Sequence, residues 1–154
     1  MKPMIANEGL RRNWRRNWLS SIQELADDHT QRRLWLDRNV RNPHYSFVEC
    51  LSCYFDGLAV FDDPATSGHA YAVAQAQGLV SADEAFTVEP LHAIFDAYEA
   101  PGNNQYDHQA ILTDPKWEEV VAAAKFAQAA LLPMLHDPEE RRILTEVSPS
   151  AVQA

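Results

Sequence analysis

Apolar residues recur along this chain at helical spacing. Val48, Leu51, Phe55 and Leu58 follow one another at intervals of 3, 4 and 3, with Phe47, Cys50 and Tyr54 in a second line beside them. Residues 46–57 therefore read as a helix apolar on two sides. Ser46 and Glu49 form a capping box at its start, and Gly57 supplies a left-handed stop. A helix that needs covering on two sides is expected at the centre of the fold, with the other elements layered around it.

The same reading extends in both directions. Leu10, Trp14, Trp18, Ile22 and Leu25 predict a first helix over about 7–27. A shorter one over about 30–40 ends at Asn42-Pro43, because the residue before proline is pushed out of the helical region. Asp63 as N-cap and Pro64 at the first position start an alanine-rich helix that Gly78 stops, with Gly68 a weak point in its first turn. Ser81 and Glu84 form a second capping box, and Pro90 is expected to interrupt or end the helix they begin. The pattern resumes at Leu91, Ile94, Phe95 and Tyr98. Residues 101–113 show no periodicity and read as the longest loop.

Asp114-Pro115 caps a long helix whose inner side is Trp117, Val120, Val121, Ala124, Ala127, Leu131 and Leu132, ending near Pro133. Asp137-Pro138 opens a last short helix through Ile143 and Leu144. No run alternates long enough for a confident strand, although 58–61 could be extended. The expectation is one all-α domain over 1–147, six or seven helices around a central buried one, followed by a disordered tail over 148–154.

Composition narrows the class. At 154 residues the chain can bury one sizeable core without disulfides or metals. No apolar run approaches the roughly 18 residues of a membrane span. The amino terminus lacks a hydrophobic signal core, so a cytoplasmic location is expected. Cys50 and Cys53, three apart on a helix, read as reduced structural thiols.

Charge changes the picture more. Residues 1–42 carry a net +4 and residues 43–154 a net −13, and no Lys or Arg occurs in the 74 residues between Arg41 and Lys116. Ordinary usage would place about nine there. Eleven acids do occur there, which would repel a nucleic acid. The basic counterpart is the first helix, where Arg11 stands above Arg15 and Arg12 above Arg16. These arginines can neutralise the acidic segment, bind phosphate beside the adjacent tryptophans, or simply be solvated.

Catalytic chemistry finds little support. Cys50 and Cys53 lie mid-helix, where a redox pair would need an exposed helix start, and no second ligand pair follows for zinc. His44, Glu49, Cys53 and Asp56 could approach a metal, but the Glu-x-x-His pattern of di-metal bundles does not occur. His92 and Asp96, one turn apart, suit a hydrogen-bonded pair. There is no nucleophile elbow and no glycine-rich loop. No catalytic residue, metal or cofactor is expected.

The run Asn42-Pro43-His44-Tyr45-Ser46-Phe47-Val48-Glu49, continuing to Tyr54-Phe55-Asp56-Gly57, resembles segments of small bacterial immunity proteins. These are cytosolic inhibitors that protect a cell from toxins delivered by contact-dependent inhibition or type VI secretion. The resemblance implies tight binding to a cognate toxin domain and no catalytic residues. A basic toxin would suit an acidic inhibitor. The expected partner-binding residues are Glu49, Asp56, Asp62, Asp63, Asp96, Glu99 and Asp107. The alternatives are a regulatory or structural adaptor working through the Arg/Trp helix, and a metal-binding helical enzyme.

Overall fold

The computed structural model describes residues 8–37, 39, 45–59 and 70–152. Among them every regular element is helical and no strand occurs, so the fold is all-α. In chain order the α-helices are α1 (Glu8–Ala26), α2 (Asp28–Trp35), α3 (Phe47–Ala59), α4 (Ala70–Ala76), α5 (Ala82–Asp96), α6 (His108–Leu112), α7 (Pro115–Leu131), α8 (Pro138–Thr145) and α9 (Pro149–Val152). Pro101–Asn103 and Leu132–Met134 add 3₁₀ turns. None of these helices is long and apolar enough to cross a membrane. The expected Asp63-Pro64 helix start, Gly68, Asn42-Pro43 and His44 lie outside the described residues.

The centre of the fold is α1, not α3. The second half of α1 is buried on all sides: Trp18, Leu19, Ile22, Leu25 and Ala26 share this burial with Ser21, Gln23 and Glu24. It packs against α3, α7 and α8. Two of the polar members are satisfied in place: Ser21 Oγ donates to Trp18 O at 2.7 Å, and Ser148 Oγ donates to Glu24 at 2.6 Å. Helix α3 buries the line Phe47, Cys50, Tyr54 and Leu58, while Val48, Leu51 and Phe55 are only half covered, so α3 is a wall of the core. Ser46 Oγ caps its start by accepting from Glu49 N–H. Gly57 does not stop it: the helix runs to Ala59, and the Gly57 carbonyl accepts from Trp14 Nε1 at 2.9 Å.

Local signals fixed most other boundaries. Ser81 and Glu84 make both halves of the capping box, and Gly78 turns the chain with φ 79°. Asp27, Asp114 and Asp137 each cap a helix through a side-chain oxygen, the last two with proline just inside. Pro90, however, does not break α5. Its missing N–H would have bonded the Phe86 carbonyl, and both residues face outward, so water can take that carbonyl while Val88, Leu91 and Phe95 hold the helix to the core.

Two segments expected to be irregular are ordered. The loop expected over 101–113 contains α6, nucleated by Asp107, whose carboxylate accepts from Ala110 N–H, and anchored by buried Ile111 and Leu112. The tail expected over 148–154 is described to residue 152, with Ser148 buried on Glu24 and α9 following it, its Ala151 inside the core.

Aromatic rings fill the space that α2, α3, α5 and α7 share. Phe47 meets Trp117 with centroids 5.3 Å apart, and Trp117 Nε1 donates to Gln31, which donates to the Glu24 carbonyl. Beside it, Trp18 Nε1, Tyr71 OH, Tyr54 OH and His92 Nδ1 form a chain with steps of 2.9, 2.9 and 3.0 Å. Because an indole N–H only donates, every donor in this chain is used when the bonds run from Trp18 towards His92. His92 is thereby engaged with Tyr54, where a pair with Asp96 was one expectation.

Two outcomes follow from a core centred on α1. Leu19→Ala and Ile22→Ala should each cost about 2–5 kcal/mol in urea unfolding, the range for fully buried aliphatics, and half-buried Leu51→Ala distinctly less. The second concerns Glu24, whose carboxyl is held above the usual carboxylate range by burial, with the bonds from Ser148 and Cys50 opposing. The folded state therefore holds this proton more tightly than the unfolded chain. Its contribution is fully present below the unfolded value of about 4.3 and is lost as pH rises through the folded value. Glu24→Gln should thus gain on the wild type progressively as pH rises above the unfolded value of about 4.3, read as the change in unfolding midpoint.

Candidate functional site

The four arginines of α1 have separate fates. Arg15 is 4% exposed and makes five hydrogen bonds. Its Nη1 and Nη2 grip the two oxygens of Glu84 at 2.9 and 2.7 Å, its Nε and Nη2 grip Glu140 at 2.8 and 3.1 Å, and Nη1 also reaches the Leu79 carbonyl at 2.8 Å. A guanidinium has five N–H donors, so none remains for a phosphate. Burial alone would favour the neutral form of Arg15, but the two carboxylates hold it charged. Burial likewise opposes ionised Glu84, and Arg15 with the Ser81 amide overrides that and holds Glu84 below the usual range.

Arg11 bonds Glu8 and the Gly78 carbonyl, and Arg16 pairs with Glu139. Arg12 is exposed, and no partner is found for it among the described residues. The phosphate-binding alternative thus loses Arg15, the member best placed between helices. A groove of about 700 Å³ opens over the Arg15 cluster, between Arg11, Asp83, Met134 and Asp137. Of its acids, Glu84 and Glu140 are held by Arg15 and Asp137 caps α8, while Asp83 and His136 line it exposed.

A second cavity, about 370 Å³, lies between α1, α3 and α9, lined by Trp14, Trp18, Glu24, Cys53, Tyr54 and Asp56. Here α3 sets Glu49, Cys53 and Asp56 near Glu24. Cys53 is exposed, and its thiol is pushed up to about 11 by partial burial and then by Glu24, Glu49 and Asp56. Buried Cys50 is pushed up strongly by desolvation first and Glu24 second. Both cysteines are free, and neither environment favours the reactive thiolate. No metal-binding group of His, Cys, Asp or Glu occurs among the described residues.

The described residues expected to bind a partner belong to α3, to the end of α5 and to the start of α6. Glu49 is half-buried in the first turn of α3, and Asp56 is exposed two turns later. Asp96 and Glu99 are exposed at the end of α5 and just beyond it, while exposed Asp107 is spent as the cap of α6. Asp62 and Asp63 lie outside the described residues. Expectation missed Asp83 and Glu89, which stand exposed on α5. It also missed Phe86 and Phe126, exposed to 80% and 69%. The signal was present, since Phe126 falls outside the inner line of α7 and Phe86 outside the buried line of α5.

The chain was compared with protein-family models, curated proteins and solved structures, and none of them matches it.

The Arg15 cluster carries a test. Arg15→Met alone strands two buried carboxylates and should cost about 3–5 kcal/mol, whereas the triple change Arg15→Met, Glu84→Gln, Glu140→Leu should recover most of that loss in denaturant titrations.

Proposed function

We propose that this chain is an acidic binding protein that captures a basic protein domain, acting as an immunity-type inhibitor of a toxin. One observation carries the reading. Three arginines of α1 are already committed, Arg15 to Glu84 and Glu140, Arg16 to Glu139 and Arg11 to Glu8, and among them only Arg15 pairs with an acid of the acidic segment. Exposed Asp56, Asp96 and Glu99 make no ion pair among the described residues. Unpaired surface carboxylates repel one another and weaken the fold slightly, a cost that a complementary partner offsets. The resemblance around residues 42–57 supplies the class of partner, and a cytoplasmic site of action belongs to the same proposal.

Charge complementarity of this kind acts mainly on the rate of encounter, over a screening length of about 10 Å at 0.1 M salt. The partner is to be isolated with tagged protein from its own cell, then followed by stopped flow. The association rate should fall steeply with added salt and by about an order of magnitude when Asp56, Asp96 and Glu99 are reversed to lysine. A rate indifferent to both changes overturns the proposal.

A further inference from the structure

Helices α5 and α7 run antiparallel. Thr87 near the start of α5 meets Met134 past the end of α7, and Phe95 and Tyr98 near the other end of α5 meet Trp117 in the first turn of α7. This register sets Phe126 level with the stretch around Pro90. The buried line of α5 is Glu84, Val88, Leu91 and Phe95, so Phe86, Pro90 and Ala93, spaced 4 and 3 apart, occupy the opposite side. On α7 the exposed side carries Ala122, Phe126 and Ala129, and residues 126–135 contain no charged residue. Two of the three most exposed aromatic rings among the described residues thus belong to one helix pair. Single exposed apolar residues are ordinary, but two outward phenylalanines on a charge-free floor are the composition of an interface centre.

The rim decides what fits. Asp83 stands one turn before Phe86; Glu89 and Asp96, seven apart, follow one edge of α5; Glu119 stands seven residues before Phe126 on the same side of α7. All four are exposed, and none makes an ion pair among the described residues. The nearby cations are turned elsewhere or marginal: Arg11, across the groove from Asp83, bonds Glu8 and the Gly78 carbonyl, Lys125 bonds Asp28 at 2.9 Å on the far side of α7, Arg141 bonds the Leu132 and Leu135 carbonyls, and Lys116 stands at the first turn. A second copy of this chain would bring the same four acids against these, and a nucleic acid or an anionic bilayer would be repelled.

From this juxtaposition we infer that the α5/α7 face, with Phe86 and Phe126 as anchors and Asp83, Glu89, Asp96 and Glu119 as rim, is the docking site for a basic partner protein that presents an apolar ridge flanked by Lys or Arg. The inference rests on the acidic-binder reading and names the surface that does the binding. It moves the contact from the scattered acids of α3 and α6 to one two-helix face. Anchor rings would supply most of the residence time, and the rim the encounter rate.

Two synthetic amphipathic helical peptides serve as probes, sharing a Leu/Phe face and differing only in flanking lysines or glutamates. The lysine peptide should bind with an affinity that falls with salt, and the glutamate peptide about tenfold or more weaker. Phe86→Ser and Phe126→Ser should each weaken the lysine peptide about tenfold, and Tyr106→Ser, an equally exposed ring on another segment, should not. Because both phenylalanines are exposed, their serine variants should keep the wild-type unfolding midpoint. Failure of the lysine peptide to bind, equal binding of both peptides, or binding untouched by the serine changes overturns the inference. So does sedimentation showing a dimer that those changes dissolve, since a second copy would then be the occupant. If the serine variants retain full association with the isolated natural partner while the charge reversals slow it, this face is wrong and the acidic-binder reading stands. If charge reversal leaves that association unchanged, the reading itself falls.

Discussion

Everything in this fold is arranged around a guanidinium with no spare donor. Arg15 enters the core from α1 and is met by the start of α5 through Glu84, by the start of α8 through Glu140, and by the turn after α4 through the Leu79 carbonyl. Each partner also has local work: Glu84 closes the α5 capping box, so the residue that begins the helix is the one that fastens it to α1. A buried ion cluster of this kind adds little net stability over apolar packing, because desolvation costs about as much as pairing returns. What it adds is register. An Arg that needs five acceptors tolerates one placement of three helices, and sliding any of them leaves a charge without water or partner.

The same cluster sorts the charges of the molecule. The amino-terminal segment is basic and the rest acidic, which on sequence alone permits either an internal match or two opposed surfaces. The structure takes part of each. Arg15 faces inward and Arg16 lies along the seam with α8, and their partners Glu84, Glu139 and Glu140 sit at helix starts, where the dipole also favours acids. The remaining acids of α3 and α5 keep their field, because no cation of the described residues reaches them. An acidic exterior on a centrally basic helix is therefore the result of which carboxylates the arginines selected.

Much of the fold was legible because its signals are local. Caps at Ser81, Asp114 and Asp137, with proline just inside two of them, fix helix starts by chemistry within four residues, and the inner line of α7 appears in the structure as its spacing predicts. Several misreadings involve partners distant in sequence. Helix α3 is the more apolar helix, yet α1 is the more buried one, because Glu24 looks like a surface residue until its donor Ser148 arrives from the other end of the fold, and Ser21 and Gln23 are covered by the helices packed on α1. A five-residue α6 offers too few turns for periodicity to show, and 148–152 reads as a tail unless the bond from Ser148 to Glu24 is known. Pro90 misled because a breaker in a helix interior is decisive only where the freed carbonyl is buried. For the site, exposure of Asp96 and Glu99 was legible from the missing cations. Which acids share a face with exposed rings was not, since that depends on the α5/α7 register.

The span of these contacts has a consequence during synthesis. Arg15 and Glu140 are 125 residues apart, and Glu24 and Ser148 are 124 apart, so α1 is completed by helices made much later than itself. At about 5–20 residues per second, a ribosome needs roughly 6–25 s between Arg15 and its second carboxylate. Through that interval α1 displays Trp18, Leu19 and Ile22 and an unmatched guanidinium to water or to whatever holds nascent chains. Most small helical proteins close on neighbours in sequence and fold fast. This one closes on contacts more than a hundred residues away.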